Sequence, residues 1–364
     1  MIKTVPQRLT LRHLEGLMRP MRTGIAMTDA RLGELLSSAP PTLSDAEAAK
    51  LARAHFGVTG ALKRLTSERD LNIRITATDQ GPGQAYVLKL ANPAEPFGVT
   101  DLQTKALLHL EASGLPVPKV IRTMTGATEV ITPQGTLRLL TYLEGVPQHV
   151  TPRSPTQARA IAAMAARLTL GLAEFAHPAA GYVLQWDIKQ ASGLRPMLPA
   201  VTDDLQALAR AALDRFDAIA PQLAGLRWQV VHNDLNPHNV LVSPDNPDEI
   251  AGVLDFGDMV HTPLICDAAI AASYCIDPSK PLESMLNFAR AYHAVLPLTA
   301  FEAQLFPDLV ATRMLTTITV ASARAQRYPD NAPYILRNVA TAREGLTSLA
   351  TVPHADLVNA LEAL

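Results

Sequence analysis

The sequence has 364 residues, enough for two lobes, and its 48% apolar and 18% charged content belongs to a chain that folds rather than one that stays disordered. With 32 Lys and Arg against 34 Asp and Glu, the formal charge of −2 excludes a bulk nucleic-acid binder and an electrostatic binder of membrane surfaces. Cys266 and Cys275 lie in one apolar stretch at a spacing that suits neither zinc nor a disulfide framework, so they read as core thiols of a cytoplasmic protein.

Residues 1–40 form a mildly basic, amphipathic N-terminal extension without the continuous apolar block of a secretory signal. It reads either as an arm that packs on the body or as the product of a start placed upstream of a true initiator such as Met27. Nothing in the chain reaches the roughly 18 uninterrupted apolar residues of a membrane span. The late stretch "LVATRMLTTITVASARAQ" is broken by Arg313 and Arg324.

After the Pro- and Ser-rich "SSAPPTLS", a helix opens with Ser44 as N-cap and Glu47 completing a capping box, and Gly57 ends it. Leu71, Ile73, Ile75 and Ala77 then alternate with polar residues, which predicts a half-buried strand. "QGPGQ" is a turn, and "AYVLKL" is a second strand. "DLQTKALLHLEASG" places Leu102, Ala106, Leu107 and Leu110 on one helical face, with Gly114 as its stop. "LPVPKVIRT" and "LRLLTYLEG" add further strands. Residues 41–144 therefore read as a small, mostly antiparallel sheet with one inserted helix. From Gly145 to Leu364 the texture is helical: one helix capped near Ser154, another over "VTDDLQALARAALDRFDAIA", and a nearly all-helical run after Pro263. The short strands "NVLV" and "IAGVLD" interrupt this second lobe. A β-rich lobe followed by an α-rich one leaves a cleft between them, where small ligands usually bind.

The polar loop "VVHNDLNPHNVLV" sits in this second lobe, and its His232, Asp234 and Asn239 follow the spacing H-x-D-x-x-x-x-N. The strand after it ends in "DFGD" at Asp255. Such a pair of loops suits phosphoryl transfer. Asp234 can orient a hydroxyl and take its proton, while the Asn239 amide oxygen and the Asp255 carboxylate suit a hard divalent cation held against phosphates.

"HNDLNPHNVLV" together with "GVLDFGDMVHTPLICDAA" resembles the aminoglycoside phosphotransferase and choline kinase superfamily. Within it, "LTSERDLNIRI", "YVLKLANPAE", "LLTYLEG", "EFAHPAA" and "LDFGDMV" are most similar to the hydroxylysine-kinase-like branch. The likeness spans roughly residues 41–345. It implies an α+β, two-lobed protein-kinase-like fold, with a β-rich nucleotide-binding lobe over 41–144 and a catalytic, acceptor-binding lobe over 145–364. It also implies Mg²⁺ with ATP or GTP as phosphoryl donor, and a small-molecule acceptor with a hydroxyl group, such as 5-hydroxylysine. By position, Lys89 resembles the strand lysine that meets the phosphates. Ser67, Asp70 and Asn72 stand in the phosphate-covering loop, and Thr141, Tyr142 and Leu143 in the hinge that reads the base. His232 and Asp267 resemble residues that brace the catalytic loop.

The pattern departs from the family in three places. There is no G-x-G-x-x-G. Gln103 stands where protein kinases carry the helix glutamate that pairs with the lysine, leaving it a supporting amide or handing the role to a carboxylate such as Glu111. Asn236 stands where many relatives have His or Lys. Other readings stay open beside these. Ser67 and Asp70 also suit a plain turn. Trp186, Asp187 and Asp258 suit an ammonium-bearing substrate, although Trp186 and Asp187 equally suit a core residue beside a helix cap. Arg313 and Arg324 suit ordinary helix ion pairs better than a grip on a substrate carboxylate. Homoserine, choline and aminoglycosides are alternative acceptors, and a nucleotide-binding pseudokinase scaffold is the reading from another class. "DFGD" passes directly into "MVHTPLICDAA", which leaves no activation segment for a protein kinase. The oligomeric state is not legible in the sequence.

Overall fold

In the computed structural model, which describes residues 40–67, 69–78 and 83–364, the first element is helix α1 (Asp45–Phe56). The expectations for the N-terminal extension and for Met27 lie outside the described residues. The Ser44 hydroxyl accepts the Glu47 N–H, and the Glu47 carboxylate accepts the Ser44 N–H at 2.8 Å. Gly57, at φ 68°, closes the helix in the left-handed conformation.

Strands β1 (Gly60–Leu65), β2 (Leu71–Ala77) and β3 (Ala85–Leu90) follow, then helix α2 (Phe97–Leu110), β4 (Val120–Ile121), β5 (Val130–Thr132) and β6 (Gly135–Thr141). They form one antiparallel sheet in the order β1-β2-β3-β6-β4, with β5 also paired to β6. Ile73, Ile75, Leu88, Leu90, Leu137 and Leu139 pack with Ala48, Ala52 and Phe56 of α1 into a small core. Between Leu88 and Leu90, Lys89 takes the other face, in register with Asn72 on β2 and Arg138 on β6. Strand β1 was not foreseen. Its "GALKRL" has no fully buried residue, as suits a charged edge strand.

Helix α2 belongs to the first lobe in sequence, but Leu102, Ala106, Leu107 and Leu110 join the larger core of the second half. The expected inserted helix therefore seals the two lobes together.

The second half contains β7 (Val146–Pro147), α3 (Pro155–Gly171), α4 (Asp203–Ile219), β8 (Trp228–Val231), β9 (Val240–Val242), β10 (Ile250–Val253) and β11 (Val260–Pro263). Helices α5 (Leu264–Ser273), α6 (Pro281–His293), α7 (Ala300–Arg327), α8 (Ala332–Ile335), α9 (Val339–Leu349) and α10 (His354–Glu362) complete it. A 3₁₀ run over Ile188–Ala200, carrying Pro196 and Pro199, was not foreseen because it has no helical apolar period. The 28-residue α7 is the axis of this lobe and packs against α4, α5, α9, α10 and the 3₁₀ run. No helix among the described residues is long and apolar enough to cross a membrane.

Two antiparallel hairpin-like pairings place the polar loops. β8 pairs with β11, and β9 pairs with β10 and also with β7. Gly145, between the sheet and β7, lies so close to β9 that a Cβ there would stand 2.9 Å from Leu241 Cβ and 3.1 Å from the Val242 carbonyl oxygen.

Candidate active site

Residues 232–239 link β8 to β9, residues 254–259 link β10 to β11, and the two segments are bonded side by side. Leu254 N–H donates to the Asn239 carbonyl at 2.7 Å, and His232 Nε2 donates to the Leu254 carbonyl at 2.9 Å. His232 Nδ1 accepts the Asp234 N–H at 3.2 Å, so the ring carries its proton on Nε2. The ring also meets Phe256 edge-on, with centroids 4.8 Å apart. Asn233 and Asp255 adopt left-handed backbone, φ 67° and 56°, a strain that Asn and Asp tolerate better than other side chains. Asp267 on α5 holds the first of these by accepting the Asn233 N–H at 2.7 Å. Its full burial pushes its carboxyl up to about 6.

Asp234 is held on both oxygens. Arg313 Nη2 donates to Oδ1 at 3.1 Å, while the side-chain amides of Asn236 and Asn239 donate to Oδ2 at 2.9 and 2.8 Å. Burial, reinforced by Asp258 and opposed by Arg313, pushes the Asp234 carboxyl up to about 7. Arg313 is itself only 3% exposed. It donates to the Trp186 carbonyl at 3.1 Å and to the Tyr274 hydroxyl at 3.2 Å. Its guanidinium lies 5.7 Å from the Trp186 ring centre.

Asn239 Nδ2 also donates to the Asp234 carbonyl at 3.0 Å, which leaves its Oδ1 for a cation. The Asp255 side chain is 48% exposed, toward the cleft, and its Oδ1 accepts the Gly257 N–H at 3.1 Å. Enclosure opposes its ionisation, but Lys89, Arg69 and that N–H hold it below the usual carboxylate range. One carboxylate and one amide oxygen match what Mg²⁺ takes from a protein when phosphates and waters complete its shell.

On the opposite wall, Lys89 Nζ lies 2.9 Å from Asp70 Oδ2 and 3.9 Å from Asp255 Oδ1. Burial favours the neutral form of each partner. Their mutual attraction outweighs it, so Asp70 is held below its ordinary range and Lys89 above. Gln103 does not support Lys89, contrary to expectation. Its amide oxygen accepts from Arg138 Nη2 at 2.9 Å, and Arg138 also donates to the Thr100 carbonyl and the Thr104 hydroxyl. Glu111 is exposed past the end of α2, outside the cleft wall. The acidic partner of the strand lysine is thus Asp70. Glu95, also on this wall, went unnoticed in the sequence.

The cleft, of about 700 Å³, collects almost every candidate: Ser67, Asp70, Asn72, Lys89, Gln103, Thr141, Tyr142, Leu143, Trp186, Asp234, Asn239, Asp255 and Asp258. Ser67 Oγ accepts the Asp70 N–H at 3.2 Å and so builds the turn it lines. The Thr141 and Tyr142 amides are bonded to the carbonyls of Lys119 and Ala85, which makes Leu143 the next hinge amide along the chain. Arg74 stacks over the Tyr142 ring at 4.0 Å and bonds Glu144 at 2.9 Å.

Asp187 does not belong to this set. It is fully buried away from the cleft, caps the 3₁₀ run through the Lys189 N–H, pairs with the Lys189 ammonium and accepts from the Thr262 hydroxyl at 3.1 Å. Arg313 departs from the ordinary helix ion pair expected of it by reaching the catalytic loop. A charge set within "LVATRML", on a helix buried all round, signals an obligatory partner.

The architecture and the paired loops define a two-lobed, protein-kinase-like phosphotransferase. The model of the phosphotransferase enzyme family APH matches residues 31–303, and the chain belongs to that family. It is 28% identical to a hydroxylysine kinase of Mus musculus, over 86% of this chain and 91% of that one. The figure for a hydroxylysine kinase of Xenopus laevis is 30%, over 87% and 91%. A homoserine kinase of Methylocella silvestris is 29% identical over 73% and 82%. Among solved structures, the fold is shared with the amicoumacin kinase hAmiN (TM-score 0.61, 17% identity, 86% of this chain and 95% of that one). It is also shared with a microcompartment-associated aminopropanol kinase (TM-score 0.57, 16% identity, 83% and 99%). The protein is a small-molecule kinase that phosphorylates a hydroxyl group.

Proposed function

We propose that this kinase moves the γ-phosphoryl group of Mg²⁺-bound ATP or GTP to the hydroxyl of an amino alcohol or hydroxy amino acid, with 5-hydroxylysine as the leading acceptor. The observation that carries this reading is the convergence of Asp234, Asn239 and Asp255 from two adjacent loops beneath Lys89. Asp234 orients the acceptor oxygen and takes its proton as the new P–O bond forms and the bond to the β-phosphate oxygen breaks. Asn239 and Asp255 hold Mg²⁺, whose charge offsets that of the phosphates when it is bound. Lys89 binds phosphate oxygens, with Ser67 and Asn72 lining the same wall. Asp70 keeps Lys89 charged and placed, and the hinge at Thr141–Leu143 faces the base. The acceptor side supports a zwitterion. Asp258 suits an ammonium group, while Arg324 and Arg337 also line the cleft. Homoserine is the second acceptor to test, because homoserine kinases are among the relatives. The pairing of Lys89 with Asp70 removes the main argument for a pseudokinase, since a carboxylate does balance the lysine. We place the enzyme in the cytoplasm, in keeping with its two free thiols.

The test is a nucleoside-diphosphate release assay with Mg²⁺, comparing ATP with GTP across 5-hydroxylysine, homoserine, choline, ethanolamine and an aminoglycoside. Turnover should be strongest on 5-hydroxylysine and vanish in Asp234→Asn. Equal activity in that variant, correctly folded, would overturn the assignment of the base. Preference for another acceptor would overturn the substrate.

A further inference from the structure

The loop between β1 and β2 brings a second cation into the nucleotide half of the cleft. The Arg69 side chain is 26% exposed, and its Nη2 donates to Asp258 Oδ1 at 3.0 Å across the lobe boundary. A Cβ placed on Gly257 would lie 3.2 Å from Arg69 Nη2 and 3.0 Å from Asp255 Oδ1. The guanidinium therefore borders the residue best suited to hold Mg²⁺. Its backbone is fixed, because the Asn92 side chain donates to the Arg69 carbonyl at 3.1 Å while the Asn92 N–H donates to Asp70 at 3.1 Å. The side chain is less constrained. Among the described residues, Asp258 is its hydrogen-bond partner, and a guanidinium carries five donors in a fork that matches two phosphate oxygens.

Two other cations lining the cleft are committed elsewhere, and Arg324 and Arg337 come from the late helical run on the acceptor side. Arg138 is fully buried against Gln103, and Arg313 is bonded to Asp234. The catalytic loop has the neutral Asn236 rather than a cation beside Asp234. From the sheet side, Lys89 without Arg69 would face a triphosphate, which carries more charge than one lysine and one divalent ion offset. Asp258, meanwhile, lies close enough to Asp234 to oppose its ionisation, and so stands on the acceptor side while Arg69 occupies it.

Building on the kinase reading above, we infer that Arg69 is a second phosphate-binding residue, held by Asp258 until a nucleotide arrives and then transferred to the terminal phosphate, which releases the Asp258 carboxylate to the cationic end of the acceptor. One arginine then couples the two substrates. A nucleotide exposes the acceptor's counter-ion, and by reciprocity the acceptor tightens the nucleotide.

The test uses the full-length protein and calorimetric titration. 5-Hydroxylysine is titrated into wild type, Arg69→Gln and Arg69→Lys, each with and without a saturating, non-hydrolysable β,γ-imido ATP and Mg²⁺. Wild type should bind the acceptor about tenfold or more tightly when the nucleotide is present, within the usual range of coupling between sites. In Arg69→Gln that coupling should vanish, with acceptor affinity for the nucleotide-free protein rising to that of the complex. kcat should fall about 10²-fold, as on loss of one donor to a charged transition state. Arg69→Lys should restore charge but not the fork, recovering part of kcat.

Asp258→Asn gives a separate arm. It should bind the imido nucleotide more tightly than wild type, because Arg69 is no longer held, and lose acceptor affinity with and without nucleotide. The same thermodynamic coupling is read from this variant if Arg69→Gln does not fold. Acceptor affinity that ignores nucleotide in wild type, or coupling and kcat unchanged in Arg69→Gln, would reduce Arg69 to a static bridge between lobes and overturn the inference. If wild type turns over none of the acceptors, the substrate assignment fails on its own. The Arg69 inference then stands or falls on whether Arg69→Gln weakens binding of the imido nucleotide.

Discussion

The two walls of the cleft are held in different ways. On the catalytic side, Asp234, Asn236, Asn239 and His232 bond mainly to one another and to the adjoining loop, so the wall is rigid before any ligand arrives. On the nucleotide side, the same job falls to ion pairs between separate segments, Lys89 with Asp70 and Arg69 with Asp258. The first wall is preorganised for the reacting oxygen. The second holds its cations on carboxylates that phosphates must compete with. Catalysis tolerates no slack at the attacking atom, whereas a leaving nucleoside diphosphate has to be let go.

The sharpest way to break the comparison is at the proposed base. Asp234→Asn should lower kcat by about 10²–10⁴-fold while nucleotide binding, read by calorimetry, stays intact. Next comes Arg313→Met, which leaves the Asp234 carboxylate without its buried partner. Urea unfolding should show a loss of about 3–5 kcal/mol, a cost that no exposed ion pair of this protein should match.

A pH-dependent stability term tests the rigid wall from below. Burial raises the Asp267 carboxyl from 3.8 to about 6 in the folded chain. The folded state therefore holds this proton more tightly, and its stability falls as pH rises from about 4 to 6. Asp267→Asn lacks that penalty, so its stability relative to wild type should climb across the same window by on the order of 3 kcal/mol. Parallel melting curves for the two proteins at pH 4.5 and 6.5 would contradict it.

On the nucleotide wall, Lys89→Met should raise the nucleotide KM and cut kcat about 10²-fold, with Asp70→Asn following in the same direction and more weakly. The smallest effect is expected at Gln103. Gln103→Leu strips the buried Arg138 of its acceptor and should cost about 1–3 kcal/mol in thermal unfolding while steady-state kinetics hold. A kinetic phenotype there as large as that of Asp70→Asn would return Gln103 to the role of lysine partner.

How much of this was legible follows the same divide. The catalytic wall is local in sequence: His232 to Asn239 span eight residues, and their spacing carries their geometry. Lys89 was legible too, from its place between two leucines on a strand. Its partner was not, because Asp70 meets it only once β2 and β3 pair, and a helix position drew attention to Gln103 instead. Arg313 reaches Asp234 from 79 residues away, and no local pattern announces that contact beyond a charge in an apolar helix. Asp187 misled for the opposite reason. It neighbours Trp186 in sequence, but its carboxylate is buried on Lys189 and Thr262 while Trp186 lines the cleft. The capping box of α1 was legible because it involves only four successive residues.

Gly145 is where the sheet hands the chain to β7, and the joint is tight. With no room for a Cβ between it and Leu241, the joint is pressed against the strand that begins one residue after Asn239. A distortion of this joint is therefore passed to the end of the loop that carries Asn239. Gly145→Ala, by driving a methyl group between this joint and β9, should lower kcat without any contact to Asp234, which steady-state kinetics would read.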